Sequence, residues 1–400
     1  MRIYGRALKE CVKEHDWEES PDALRRLVGR FDLSPLVTLA EYHGVLNFLY
    51  LSVRGLEGAD PAFVGELERH YKYHIGHHLR ALADLASLGD VLDGHEIPWI
   101  TFKGPVLAEV VYPRSDLRTY SDLDVLIPRA FFGRAIELLE RNRCRLVDTN
   151  WNFIRDERLS QLHMVLRLGT VADAHWHLLN SGKARDALRI STDEILERSR
   201  TVALDGRPVR TLDSVDTLVH LCIHAGFSGG RRLLWLKDVD RAVGVADLSW
   251  DEVVRRAEDW RAGAMVSIVL QRVARIMGTP IPSDVIRTLS RSPIRRAGTS
   301  IVDVVSPPEA SLGRTTPSVL WARTARDSWA ATVVALVRRA TGRFKRYLRQ
   351  LTTYRRATSE RRTSKEILVP SGGAEGRAAY FRAVAEGFDL ERRHRHRADI

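Results

Sequence analysis

The sequence predicts an α/β (α+β) core with a mixed sheet, flanked by N-terminal and C-terminal helical regions. Short apolar runs alternate with helical patterns between residues 98 and 180, as expected of a compact sheet covered by helices. Before this core, leucines recur every three or four positions, the spacing of one helix face, at Leu79, Leu82, Leu85, Leu88 and Leu92. After it, helical periodicity returns from about residue 191.

Breaks in these patterns divide the chain. Residues 95–98 end the first helical region. Pro307-Pro308 and the Ser/Gly/Thr-rich run that follows to Pro317 are typical of a linker. Residues 370–376 are predicted to be a second flexible link. The predicted division is an N-terminal helical region (1–95), the α/β core (96–180), a helical domain (181–300), and a linker, basic helix and flexible tail (301–400).

Within the core, short apolar runs predict strands and amphipathic runs predict helices. Besides the run that begins at Asp122, strands are expected at 99–102 and around 144–150, 162–168 and 171–178. Helices are expected at 106–111 and 129–141. Pro105 can open the first of these helices, because a proline at a helix start removes no hydrogen bond that the helix needs.

Two acids mark the candidate site in the middle of this core. In a strand, alternate side chains share a face, so Asp122 and Asp124 are expected to emerge side by side. Neighbouring carboxylates repel unless a cation lies between them, and hard divalent cations prefer oxygen ligands. Asp-x-Asp alone also fits a solvated polar face. The upstream Lys103-Gly104 turn and a third acid downstream favour a metal site.

That third acid is Asp173, which follows a predicted Gly169-Thr170 turn between two strands. Alternation would place Asp173, His175 and His177 on one face. The alternative for Asp173 is a surface acid at the rim of the sheet, and the alternative for His175 is a structural hydrogen bond.

These motifs resemble the polymerase-β-like nucleotidyltransferase superfamily, and within it a branch of uncharacterised bacterial nucleotidyltransferases. The matching positions span roughly residues 35–280 and are Lys103-Gly104, Tyr112-Pro113, Arg118, Asp122-Leu123-Asp124 and Asp173-Ala174-His175-Trp176. The later runs 218–224 and 235–238 are also similar to those of the branch. The chain departs from the superfamily pattern at Gly104-Pro105, where Gly-Gly or Gly-Ser is usual.

The resemblance implies transfer of a nucleoside monophosphate from an NTP such as ATP to an acceptor, with release of pyrophosphate. It implies Mg²⁺ (or Mn²⁺), with catalytic and metal-binding roles for Asp122, Asp124 and Asp173. It implies nucleotide-binding roles for Lys103, Gly104, Arg118, Ser121 and His175. Lys103 and Arg118 can equally form ion pairs with the acids. The acceptor can be a small molecule, a peptide or an RNA.

The net charge of +11 is concentrated in one segment, because residues 338–365 carry eleven Lys/Arg residues against the single acid Glu360. This segment predicts an anionic partner, such as a phosphate backbone, anionic lipid or acidic peptide, although a solvated helix fits as well. It also keeps a second function open, a catalytically silent nucleotide- or partner-binding module that uses the basic segment. Retention of all three acids favours the enzyme.

The cysteines and the chain start indicate a cytoplasmic protein. Three scattered cysteines, Cys11, Cys144 and Cys222, lack a Cys-x-x-Cys spacing and are expected to be reduced thiols. The first residues lack the apolar stretch of a signal peptide, and no run of about eighteen apolar residues predicts a transmembrane helix.

Overall fold

The computed structural model of the protein describes residues 2–13, 20–245, 248–310, 312, 317–325 and 367–388. Its α-helices are α1 (Arg2–Val12), α2 (Asp22–Arg25), α3 (Ser34–His43), α4 (Leu46–Val53), α5 (Pro61–Asp93), α6 (Gly104–Val106), α7 (Arg129–Arg141), α8 (Trp151–Asp156), α9 (Gly182–Ala187), α10 (Thr192–Arg198), α11 (Ser214–Phe227), α12 (Leu233–Val245), α13 (Trp250–Asp259), α14 (Gly263–Met277), α15 (Ser283–Leu289), α16 (Pro293–Val305), α17 (Pro317–Thr324) and α18 (Gly373–Glu386). Its strands are β1 (Ile100–Phe102), β2 (Asp122–Leu126), β3 (Arg145–Leu146), β4 (Gln161–Val165), β5 (Val171–His175), β6 (Arg200–Leu204) and β7 (Arg207–Thr211). The basic segment 338–365 lies outside the described residues.

The chain forms two compact units, and each draws on separated stretches of sequence. A helical unit contains the described residues of Met1–Gly76, Leu107–Tyr120 and Asp213–Arg346. A sheet unit contains those of His77–Val106, Ser121–Leu212 and Tyr347–Ile400. No helix in the described part of the chain is long and apolar enough to cross a membrane.

The sheet unit is built on a five-stranded mixed sheet in the order β1-β2-β5-β4-β3, which confirms the predicted mixed sheet. The central pair β2 and β5 is parallel, and the other neighbours are antiparallel. In β2, Leu123 and Val125 are buried on the face opposite the two acids. The helix predicted over 129–141 is α7, with the same bounds.

A second, two-stranded sheet corrects the expectation that the chain is helical from residue 191. Strands β6 and β7 pair antiparallel within the region predicted as a helical domain. Asp205 and Gly206 link them with φ angles of +48° and +74°. Positive φ at both central residues is what a tight hairpin of this type requires, and Asp-Gly is its usual sequence. The Asp-Gly dipeptide was therefore the available sequence signal.

The β4–β5 hairpin confirms the predicted turn at Gly169-Thr170, and α5 holds it in place. Asp84 is 1% exposed, and its carboxylate accepts hydrogen bonds from the backbone N–H groups of Leu168 at 2.8 Å and Thr170 at 3.0 Å. Gly169 has a φ of +96°, which favours glycine. These bonds fix the chain directly before β5.

Three local expectations differ from the structure. Leu79 was expected on the buried face of its helix but is 61% exposed, because Ala81 and Asp84 take the buried positions there. The helix expected at 106–111 starts as α6 and continues as a π-helical turn, Leu107–Val111. The strand expected around 144–150 is only β3, and the short helix α8 follows it.

The C-terminal region contains a helix that packs on the sheet unit, so the flexible link predicted at 370–376 is wrong. Helix α18 contacts α7 and α8. Tyr380 on α18 is fully buried, and its hydroxyl donates to the carbonyl of Leu159 at 2.9 Å and accepts from the indole N–H of Trp176 at 3.1 Å. The ring of Phe388 stacks on Trp176. Aromatic burial therefore orders residues that composition alone suggested were flexible.

We expect Tyr380→Ala to lower the free energy of unfolding by about 4 kcal/mol, because it opens a cavity and leaves two buried polar groups unpaired. Urea unfolding monitored by circular dichroism measures this change. Arg382→Ala, an exposed position on the same helix, is the matched control and is expected to stay close to wild type. Equal stability of the Tyr380 variant and wild type would show that α18 does not support the sheet unit.

Candidate active site

The parallel pairing of β2 with β5 places two acids opposite each other. Asp124 is the register partner of Asp173, and the same row continues to Phe102 on β1 and His163 on β4. Register partners project from the same face of a sheet, so this row of side chains lies on one face. Asp124 is 4% exposed and Asp173 is 8% exposed.

A group of potential metal ligands lies on this face. One ligand atom each from Asp124, Asp173 and His175 falls within 4.8 Å of the other two, and all three residues are buried. Asp122 starts β2 on the same face, opposite Val171, and is half-buried. It is not a member of that group among the described residues. Two carboxylates and an imidazole form a donor set that fits a divalent cation.

Lys103 supplies a positive charge to this group. Its Nζ lies 2.8 Å from Asp124 Oδ1, and His175 Nε2 lies 3.1 Å from the same oxygen. Burial alone would raise the pKa of the Asp124 carboxyl, but the Lys103 ammonium and the His175 imidazole hold it below its usual range. The ammonium therefore occupies a position where a metal cation would neutralise Asp124.

The backbone of Lys103 is unusual for a residue with a side chain. Its φ is +57°, in the left-handed region that costs non-glycine residues about 1 kcal/mol or more. The next residue, Gly104, has a φ of +32° and begins α6. The turn after β1 directs the lysine side chain back to Asp124, one strand away.

Asp173 has the opposite electrostatic environment. Burial raises the pKa of its carboxyl to about 6, and the nearby carboxylates of Asp124 and Asp122 add to the shift, against the influence of His175 and His163. The side-chain amide of Gln161 donates a hydrogen bond to Asp173. The ionised form of the Asp173 carboxyl is therefore disfavoured, whereas Lys103 favours the ionised form of Asp124.

A second acid–histidine pair beside Asp173 was missed by the sequence analysis. Both oxygens of Asp148 lie 3.0 Å from His163 Nδ1, and Asp148 also accepts the backbone N–H of His163 at 2.8 Å. His163 Nε2 lies 3.8 Å from Asp173 Oδ1. Hydrogen bonding to Asp148 raises the pKa of His163. The alternation of Gln161 and His163 with apolar residues in β4 was a signal for this pair.

Arg118 is used within the helical unit. Its Nε and Nη2 atoms donate to the two oxygens of Asp238 at 2.8 and 3.0 Å, and the hydroxyl of Tyr112 donates to Asp238 Oδ1 at 2.8 Å. All three side chains are buried. The structure therefore gives Arg118 an ion pair with Asp238, and its nucleotide-binding role stays a prediction.

Ser121 lies just before β2, and His177 lies beyond the end of β5. Ser121 directly precedes β2 and is exposed. Strand β5 ends at His175, so the expected alternation stops before His177. The His177 ring instead bonds the backbone of Leu179 and Ile190.

Comparison with known proteins identifies the family. Residues 29–278 match the family described as uncharacterised nucleotidyltransferase, and because this match spans more than half of the chain, the protein belongs to that family. It therefore has a nucleotidyltransferase-like fold, and its family implies a nucleotide substrate. No curated protein matches the sequence.

Two solved structures are similar to part of the chain. One is an antigenic nucleotidyltransferase-like protein from Paracoccidioides brasiliensis, with 14% identity, a TM-score of 0.35, and coverage of 53% of this chain and 93% of that chain. The other is the antibiotic-resistance factor ANT(2'')-Ia, with 12% identity, a TM-score of 0.28, and coverage of 57% of this chain and 95% of that chain.

We expect Asp173→Asn to stabilise the metal-free protein more at pH 8 than at pH 4.5. The pKa of folded Asp173 is about 6 against an ordinary value of 3.8, so the folded state binds more protons between these values. The free energy of unfolding therefore falls as pH rises through this window, by at most about 3 kcal/mol. Asparagine cannot ionise and escapes this loss.

Melting temperatures of both proteins in a chelating buffer at the two pH values measure the effect. Asp156→Asn, whose side chain is 69% exposed, is the control and is expected to match wild type at both. A shift from Asp173→Asn of equal size at pH 4.5 and pH 8 would contradict the proposed penalty on the ionised carboxylate.

Proposed function

We propose that the protein transfers a nucleoside monophosphate from an NTP to an acceptor nucleophile and releases pyrophosphate, with a divalent cation held by Asp122, Asp124 and Asp173. The observation that supports this most strongly is the register of β2 and β5. It buries Asp124 and Asp173 side by side, next to a lysine, in a chain that belongs to a nucleotidyltransferase family.

The reaction needs positive charge, and the two buried acids are arranged to hold a cation that would supply it. The attacking group, the phosphorus centre and the leaving group all carry negative charge or develop it, so neutralisation lowers the barrier. A bound Mg²⁺ or Mn²⁺ would supply that charge and polarise the phosphoryl oxygens. Asp124 and Asp173 are prearranged to hold such an ion, because the rigid sheet fixes them at a short separation before any ligand arrives.

The positive side chain beside the acids is assigned to the triphosphate. Lys103 is 17% exposed and sits on a flexible four-carbon stem, so its ammonium can leave Asp124 for an anionic phosphate without movement of the sheet. Gly104 and Ser121 are assigned to the same phosphate side, because Gly104 directly follows Lys103 and Ser121 directly precedes Asp122 in the chain. The contact of Arg118 with the nucleotide remains part of this proposal.

The acceptor is assigned to the side of Asp173 that faces β4, opposite the phosphate side. His163 lies there in the same row of the sheet, and Asp148 fixes the orientation of its ring. Because Asp148 engages Nδ1, His163 presents Nε2 toward Asp173. A hydroxyl that approaches Asp173 from this side would meet a polar edge suited to hydrogen bonding.

The test is turnover of each of the four NTPs with Mg²⁺ or Mn²⁺, with pyrophosphate release as the assay and mass spectrometry of candidate acceptors. We expect Asp124→Asn and Asp173→Asn each to reduce pyrophosphate release roughly 100-fold or more, because each removes charge that stabilises the transition state. Asparagine preserves side-chain volume, and circular dichroism checks that the fold survives. Asp156→Asn is the matched control, with wild-type turnover expected.

A double variant Asp124→Asn, Asp173→Asn with wild-type turnover or wild-type cellular phenotype would contradict this function. That outcome would favour the catalytically silent binding module, for which the basic segment 338–365 would be the working surface. Magnesium-dependent NTP binding by wild type without any transfer to an acceptor would favour the same module.

A further inference from the structure

His175 lies in the site but is not one of the three acids that the sequence analysis expected to bind a metal. It is 4% exposed, and its Nε2 lies 3.1 Å from Asp124 Oδ1. It is the third member of the ligand group with Asp124 and Asp173. Asp122, which the sequence analysis also assigned as a metal ligand, is not a member of this group.

The strand and the packing around it fix the His175 ring. His175 follows Asp173 by two residues in β5, so both side chains project from the same face. The ring packs against Phe102, with a centroid separation of 5.5 Å. A histidine held in this way presents its nitrogen to the carboxylates without a further loss of rotamer freedom.

The surroundings of Nδ1, the second ring nitrogen of His175, do not fix which ring nitrogen carries the proton. Nδ1 is buried and has no hydrogen-bond partner among the described residues. A donor to Nδ1 would force the proton onto Nε2 and prevent Nε2 from ligating a metal. In the metal-free site Nε2 donates to Asp124 Oδ1. Since no donor to Nδ1 is described, the proton can move to Nδ1 when a cation binds, which frees Nε2 to ligate it.

His163 provides the contrast within the same face. Its Nδ1 is engaged by Asp148, and its Nε2 lies 3.1 Å from the amide nitrogen of Gln161. Both of its ring nitrogens therefore contact protein groups. It is also not a member of the buried ligand group.

We propose that His175 is a direct ligand, together with Asp124 and Asp173, and that the site prefers a divalent transition-metal ion such as Mn²⁺ over Mg²⁺. Imidazole nitrogen is a good ligand for divalent transition metals, whereas Mg²⁺ strongly prefers oxygen. This inference rests on the metal site of the proposed function, but it does not depend on transfer to an acceptor.

The experiment uses the full chain, stripped with a chelator and loaded with MnCl₂ alone. Pulsed electron paramagnetic resonance of the bound Mn²⁺ detects a directly bonded nitrogen through its hyperfine coupling. We expect this coupling in wild type, its loss in His175→Gln, and its retention in the matched variant His163→Gln. Calorimetric titration should show that His175→Gln weakens Mn²⁺ binding roughly tenfold or more and Mg²⁺ binding much less.

A test without substitution covers the case in which His175→Gln fails to fold. Wild-type protein that contains ¹⁵N-labelled histidine should show the ¹⁵N coupling pattern in place of the ¹⁴N pattern. Absence of nitrogen coupling in wild type, or coupling that survives His175→Gln but not His163→Gln, would overturn the inference. If Mg²⁺ and Mn²⁺ support transfer equally and wild type shows no nitrogen coupling, the proposed function stands and only the inference about His175 is overturned.

Discussion

The structure around the site is organised by one electrostatic constraint, the burial of two carboxylates as register partners on a parallel strand pair. Like charges no more than 4.8 Å apart repel by about 3 kcal/mol or more at an effective dielectric constant near 20. In the structure, Lys103 neutralises Asp124 and His175 donates a hydrogen bond to it. Asp173 instead has a raised pKa, so its ionised form is disfavoured. The two acids therefore respond to the same constraint in different ways.

Strand β5 carries half of this site and is held firmly at both ends. Before it, Asp84 on α5 binds the backbone of the hairpin turn. After it, Trp176 bonds Tyr380 on α18, a helix from the far end of the chain. Because these contacts stop the strand from sliding, Asp173 cannot relieve its proximity to Asp124 by a change of register. The fold thus stores an unfavourable arrangement that a cation would relieve.

The sequence predicted the parts of the site and fold that depend on local patterns. Period-two alternation indicated that Asp122 and Asp124 share a face, and helical spacing gave the bounds of α7. Contacts between residues far apart in the sequence are not visible in local patterns, so the contacts of Asp148 with His163 and of Arg118 with Asp238 were missed. The order of residues 373–386 depends on aromatic packing against distant helices, which composition does not reveal.

The most direct test of the central claim is a crystal structure of the protein with Mn²⁺ and a non-hydrolysable NTP analogue, with anomalous scattering used to locate the metal. The account predicts an anomalous peak within coordination distance of both Asp124 and Asp173, roughly 2.0–2.3 Å from their oxygens. It also predicts that Lys103 Nζ has moved from Asp124 to a phosphate. A metal bound elsewhere, with Lys103 still paired to Asp124, would contradict the account.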